Sequence, residues 1–217
     1  MLEGISAEKA AAMIPDGASV MFGGFLGVGS PERVIDALVA RGARGLTLIC
    51  NDTASPGVGV GKLIQAGCVA YVKASHIGTN PMTQKKMISG EIEVELVPQG
   101  TLAERIRAGG SGLGGVLTPT GVGTVTSEGK QVIEIDGANF LLESPLRADF
   151  ALLRAHEADH FGNLTYRLTA ANFNPVMAFA ADCVIAEPDE IVPVGVIPPD
   201  AVRTPGVLVD HLVRRSQ

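Results

Sequence analysis

Four glycines fall within the seven residues Gly23-Gly24-Phe25-Leu26-Gly27-Val28-Gly29, directly after the apolar run Ser19-Val20-Met21-Phe22. Such a loop sets backbone amides at the carboxyl end of a strand and at the start of a helix, where an anion or a carbonyl oxygen is favoured. The spacing does not fit G-x-G-x-x-G, and no acidic residue obviously takes the ribose role, so the loop is not the dinucleotide fingerprint. Taken alone, the loop reads equally as a ligand site or as a tight packing turn. Further polar residues follow later strands: Asn51-Asp52, Gly78-Thr79-Asn80, and Gln99 ahead of a helix. Asn, Asp and Gly after a strand are also ordinary turn formers. Gln99 is either a neutral amide donor at the sheet's carboxyl edge or a helix-entry residue making a backbone bond.

Other chemistry-bearing residues read as structural. His76 stands at a strand end and is expected to be hydrogen-bonded there. His156, Asp159 and His160 have spacings that suggest a metal, but without a capped helix or a further ligand they read as a solvated turn before Gly162, and no metal is expected. Glu91, Glu93 and Glu95 alternate on one strand face and read as exposed. Glu143 reads as a structural or interface acid.

The elements that position these residues alternate between strand and helix. Ser6 caps a short helix through Met13, and Asp16-Gly17 turns the chain into the first strand. Ser30 and Pro31 supply an N-cap and first-turn proline for a helix to about Ala40. Strands follow at Leu46 to Cys50, Val69 to Ala74 and Val94 to Val97, with helices over Val58 to Gln65 and Met82 to Ser89 between them. Thr101-Leu102-Ala103-Glu104 reads as a capping box for a helix ending near Gly109-Gly110. Val132 to Ile135, Asp136-Gly137 and Asn139 to Leu142 predict a hairpin. Strands at Phe150 to Arg154, Leu164 to Tyr166 and Cys183 to Ala186 follow, with a helix over Asn172 to Ala181. The tail with Pro193, Pro198, Pro199 and Pro205 reads as an extended segment on the surface or on a partner. The expected fold is α/β, an open mostly parallel sheet flanked by helices with an inserted antiparallel hairpin layer, in one domain over 1–217.

Composition agrees with a buried core: 217 residues, 46% hydrophobic and 18% charged. A net charge of -6 without a Lys/Arg cluster excludes the footprint of a nucleic-acid binder. With 4% aromatics and no Trp, a binding pocket is expected to be polar and backbone-lined. Cys50, Cys68 and Cys183 each sit in an apolar run, which suits reduced thiols and a reducing cytosol. The segment from Met1 to Met13 does not read as a signal peptide, and no apolar stretch reaches membrane-spanning length.

With its flanks, the glycine loop becomes specific. Asp16-Gly17, Val20-Met21-Phe22, Gly23-Gly24-Phe25, Gly29 and Pro31 together resemble the family I (3-oxoacid type) CoA-transferase alpha subunit. Asn51-Asp52, Ser75 to Pro81, Val97 to Thr101, Leu117 to Gly121 and Phe161 to Tyr166 are similar to further segments of that family, in order along nearly the whole chain. The resemblance implies a CoA-transferase-like fold and ping-pong movement of CoA from an acyl-CoA to a free carboxylic acid through a glutamyl-CoA thioester. CoA and acyl-CoA are then substrates, with no permanently bound cofactor. The family's glutamate lies in the beta half before Asn-Gly, and no Glu-Asn-Gly occurs here, so a beta subunit, in an α2β2 assembly, is expected to supply it. By the same resemblance Gln99 belongs to an oxyanion site. Gly23, Gly24, Phe25, Leu26, Gly27, Val28 and Gly29 form a cradle for CoA or the acyl group, and Asn51, Asp52, Gly78, Thr79 and Asn80 form pocket walls. The acids that fit best are acetate or butyrate with acetoacetyl-CoA. The alternatives are a 3-oxoadipate CoA-transferase subunit, or a ligand-binding or sugar-phosphate isomerase-like module on the same fold.

Overall fold

The structure is a computed structural model and describes residues 1–215. In chain order the elements are β1 (Gly4–Ile5), α1 (Ala7–Ala12), β2 (Ser19–Phe22), α2 (Glu32–Arg41), β3 (Leu46–Asp52), α3 (Gly61–Gln65), β4 (Val69–His76), α4 (Pro81–Ile88), β5 (Glu93–Leu96) and α5 (Gln99–Gly110). They continue with β6 (Val116–Thr118), β7 (Val132–Ile135), β8 (Ala138–Glu143), β9 (Ala148–Asp159), α6 (Asn174–Met177), β10 (Ala181–Val192) and β11 (His211–Val213).

Eight strands form one sheet in the order β1-β11-β10-β9-β2-β3-β4-β5. Every pairing within it is parallel. The expected antiparallel layer is a separate three-stranded sheet, β6-β8-β7. Its hairpin turns at Asp136-Gly137, both with positive φ, as a two-residue turn of this kind requires. The chain walks outward from β2 to β5, then returns to lay β9 on the other side of β2. The loop after β2 therefore stands at the topological switch point, where open parallel sheets leave a crevice.

A parallel sheet buried on both faces needs apolar residues at odd and even positions alike. Val20, Phe22, Leu48, Cys50 and Val72 pack on one face with the residues of α1, α2 and α3. Met21, Ile49, Ala151 and Leu153 pack on the other with Leu102 and Ile106 of α5 and Met177 of α6.

Several sequence expectations are corrected. Ser30 does not cap α2: Pro31 holds the N-cap position, without a side-chain bond. Instead the Val34 N–H donates to the Glu187 carboxylate at 2.9 Å, from the far strand β10. The capping box at Thr101 is absent, because the N-cap of α5 is Pro98, three residues earlier. Thr101 Oγ1 is buried without a partner among the described residues, and Glu104 pairs with Arg107. The helix expected over Val58 to Gln65 shortens to α3, and Leu164 makes only isolated bridges rather than a strand. The helix expected over Asn172 to Ala181 contracts to α6. The proline-rich tail ends in β11, which is inserted between β1 and β10 and not merely laid on the surface. No helix among the described residues is long and apolar enough to cross a membrane.

Candidate active site

The site is built on the last two residues of β3. Sequence spacing placed Asn51 and Asp52 after the strand, but the strand runs through both. Because side chains alternate along a strand, Asn51 shares a face with Ile49, toward α5, and Asp52 shares the opposite face with Cys50, toward α2 and the glycine loop. The two neighbours therefore tie together elements on opposite sides of the sheet. Gln99, the first residue of α5, donates from Nε2 to Asn51 Oδ1 at 2.6 Å. Ser75 Oγ donates to the Asn51 backbone oxygen at 2.7 Å and to Oδ1 at 3.1 Å. Asn51 Nδ2 donates to Asp52 Oδ2 at 2.6 Å. Asp52 accepts the Leu26 N–H at 3.0 and 3.2 Å on its two oxygens, and the Ala54 N–H at 2.8 Å. A continuous chain of hydrogen bonds thus joins Gln99 to the glycine loop.

The loop itself is held in a shape that ordinary residues resist. Within the loop Leu26 has φ of 49°, and its supports share the strain: Ala54, beside Asp52, has φ of 51° and Asn172 has φ of 22°. Strain of this kind persists only where the surroundings fix it. Two asparagines missed in the sequence do much of the fixing. Asn172 Oδ1 accepts the Gly24 N–H at 3.0 Å, and its Nδ2 donates to the Val28 oxygen at 2.9 Å. Asn174, fully buried, donates from Nδ2 to the oxygens of Gly29 and Ala170, and accepts the Arg154 N–H. Gly23 is required because a Cβ there would lie 1.8 Å from Asn174 Oδ1. Phe25 and Val28 bond to each other through both amides, which makes the tip a closed miniature hairpin. The only sequence signal for the two asparagines is the pair Asn172-Phe173-Asn174, which carries no motif of its own.

These bonds change what the loop offers. The amides of Gly24 and Leu26 are occupied by Asn172 and Asp52, and the N-terminus of α2 is occupied by Glu187. Burial pushes the Glu187 carboxyl upward, against the pull of the Val34 N–H and of Arg33 and Arg154. The anion site expected where the loop meets the helix is therefore filled by the chain's own carboxylate. What the loop presents outward is apolar: Phe25, Leu26 and Val28 are 45%, 45% and 51% exposed.

The remaining predicted residues separate by depth. Gln99, Gly78 and Thr79 are exposed on the rim. Thr79 Oγ1 donates to the Ala54 oxygen at 3.0 Å. Asn80 is fully buried: its Oδ1 caps α4 by accepting from Met82 and Thr83, and its Nδ2 donates to the Thr53 oxygen. Asn51 and Asp52 are 1% and 5% exposed, so they stand behind the wall. Beside Gln99, a groove between the start of α5 and the small sheet is lined by Gly100, Thr101, Glu104, Val116, Leu117 and Thr118.

Of the residues set aside in the sequence, His76 departs from expectation: it is exposed at the end of β4 and its ring makes no hydrogen bond among the described residues, whereas the others have structural partners. Asp159 accepts from the N–H groups of Phe161 and Asn163, His160 Nδ1 contacts the Leu2 oxygen, and His156 faces Asp189. Among the described residues no group of three His, Cys, Asp or Glu could hold a metal ion. Glu95 is not simply exposed: it bonds Lys73, Tyr71 and Arg105. Glu143 is buried against Lys130 and Arg105.

The chain is 57% identical to the acetate CoA-transferase subunit alpha of Escherichia coli (strain K12), covering 95% of this chain and 94% of that one. It is 49% identical to the acetoacetyl-CoA:acetate/butyrate CoA transferase alpha subunit of Clostridium acetobutylicum, covering 95% of each. Its fold matches an acyl-CoA transferase from E. coli O157:H7, solved as a thioester complex with CoA, with a TM-score of 0.87 at 24% identity. That match covers 98% of this chain and 47% of the other, so the chain spans about half the length of that enzyme. The Coenzyme A transferase family matches residues 5–215, and the chain belongs to it.

Proposed function

We propose that this chain is the alpha subunit of a short-chain acyl-CoA transferase that moves CoA between acetoacetyl-CoA and a free acid such as acetate or butyrate. The observation that carries the reading is the linkage of Gln99 through Asn51 and Asp52 to the strained glycine loop, at the carboxyl edge of a parallel sheet, in a chain without the family's nucleophile motif. A glutamate of a beta subunit attacks the acyl-CoA carbonyl, giving an acyl-glutamyl anhydride and CoA thiolate. The thiolate then attacks the glutamyl carbonyl, releasing the first acid and leaving a glutamyl-CoA thioester. The second acid reverses the sequence. Each attack puts negative charge on a carbonyl oxygen, and a neutral donor fixed before the reaction stabilises that charge best. In this reading Gln99 is such a donor.

The exposed Phe25, Leu26 and Val28 supply an apolar wall for the acyl group or the CoA arm, with Gly78 and Thr79 on the neighbouring rim. Both intermediates hydrolyse in a wet site, and a subunit seated on this rim would exclude water. An α2β2 assembly is the stoichiometry we favour. The reduced state of Cys50, Cys68 and Cys183 suits the cytoplasm. CoA enters only as substrate, and no resident cofactor is required.

The test is reconstitution. The chain is mixed with a beta subunit carrying Glu-Asn-Gly and assayed with a panel of acyl-CoA donors and free acids. CoA transfer by the mixture, and by neither chain alone, is the expected result. Full activity of the single chain would overturn the division of labour.

A further inference from the structure

Among the described residues every hydrogen bond of the Asp52 carboxylate is with an N–H: those of Leu26 and Ala54 and the Nδ2 of Asn51. A carboxylate that only accepts dictates the orientation of the amide beside it. Asn51 must turn its amino end to Asp52, which leaves its Oδ1 facing α5. That oxygen receives the Ser75 hydroxyl and the Gln99 Nε2. Gln99 is exposed at the rim and, left to itself, could present either end of its amide. Opposite an acceptor it must present its amino group. One N–H is then held by Asn51, and the second is fixed at the edge of the site as a donor.

We infer that Asp52, acting through Asn51, is a positioning residue that sets which end of the Gln99 amide faces the reacting carbonyl. The inference rests on the reading of Gln99 as an oxyanion donor and adds its cause: a buried charge is converted into the polarity of an exposed neutral group through one intervening amide. Two directions of amide order are possible in such a relay, and the acceptor at its inner end selects one. The same carboxylate holds the Leu26 amide, and its Oδ1, which takes both the Leu26 and the Ala54 N–H, is retained as the amide oxygen in Asp52→Asn, so that substitution alters the relay while the loop stays tied.

The experiment is a double-mutant cycle in the assembled complex. Asp52→Asn lets the relay run in either direction, and should lower kcat about tenfold while KM for acyl-CoA stays within about twofold, the pattern of an interaction made only in the transition state. In a Gln99→Ala background the same change should cost nothing further. Effects that multiply would overturn the relay, since they would show that Asp52 acts independently of Gln99. A second variant needs no activity and leaves the buried residues intact. Gln99→Glu places an acceptor against the fixed Asn51 oxygen, so the Tm of the complex at neutral pH should fall by about 2–4 °C, the scale of about 1 kcal/mol in a chain of this size. An unchanged Tm would mean that Asn51 turns freely and would overturn the inference even if Asp52→Asn failed to fold. A wild-type complex that transfers no CoA would instead overturn the functional reading, with the Tm comparison still deciding the orientation.

Discussion

Two polar networks lie on either side of the start of α5, and they are built on opposite principles. Toward β3, the network is mostly neutral: Gln99, Asn51, Ser75 and backbone amides, with Asp52 as its one charged member. Toward β5, Glu95 is shared by Lys73 and Arg105, and Arg105 and Lys130 meet Glu143. The second network matches charge with charge at the sheet's edge, where it also marks β5 with a mixture of charges that discourages pairing with another strand. The first keeps positive charge away from the rim. A lysine there would hold a free carboxylate as firmly as the charge that develops during attack, and binding both equally gains little turnover. A fixed neutral donor favours the developing charge, so under the proposed role of Gln99 the difference between the networks is one between structural support and chemistry.

The comparison predicts that the neutral network is brittle and the charged one tolerant. The largest effect is expected for Gln99→Ala, which removes the donor and should reduce kcat of the assembled enzyme by on the order of 100-fold or more. Steady-state kinetics decide it, and an unaltered rate would remove Gln99 from the mechanism. Next is Asn174→Ala. It leaves the Arg154 N–H and the oxygens of Gly29 and Ala170 without their side-chain partner in a fully buried position. A loss of about 2–4 kcal/mol is expected, read as a Tm lower by about 5–10 °C in calorimetry. A shift of less than a degree would show that the loop anchors are redundant after all. Asn172→Ala, whose side chain is partly exposed, should cost less stability but raise KM for acyl-CoA several-fold, because the Gly24 and Val28 ties are lost while the fold is kept. An unchanged KM would detach the loop's shape from substrate binding.

The sequence revealed the parallel sheet because its strands are continuous apolar runs separated by helices, and β2, the loop and α2 could be placed within a residue or two. The Asp136-Gly137 turn identified the hairpin for the same local reason. What stayed hidden depends on distant pairing. β1 has two residues and exists because β11 lies beside it, so neither segment carries a pattern of its own. The cap of α2 comes from Glu187, about 150 residues away, while the local Ser30-Pro31 signal went unused. Gln99, Asn51 and Asp52 were recognisable as residues, but their connection depends on which side of β3 each one faces, and on β3 being two residues longer than its apolar run. Asn172 and Asn174 sit in an irregular segment with no periodicity, and only the folded chain brings them to the glycine loop.

The smallest effect tests the charged side of the comparison. Burial pushes the Glu95 carboxyl up, but hydrogen bonds and charge from Lys73 and Arg105 outweigh it and bring the carboxyl down to about 2. Its ordinary value is 4.5. A carboxyl depressed on folding contributes stability that is present above the unfolded value and lost as pH falls toward the folded one. Glu95 is partly open to solvent and its cations keep other partners, so Glu95→Gln should cost about 1 kcal/mol or less at neutral pH. The gap between wild type and variant should then narrow in denaturant melts taken from about pH 6 to about pH 3, because the unfolded chain takes up its proton over that range. A gap that widens on acidification would give Glu95 the wrong sign. A large loss of transferase activity at constant stability would make the edge network part of the chemistry, and the separation between the two sides of α5 would fail.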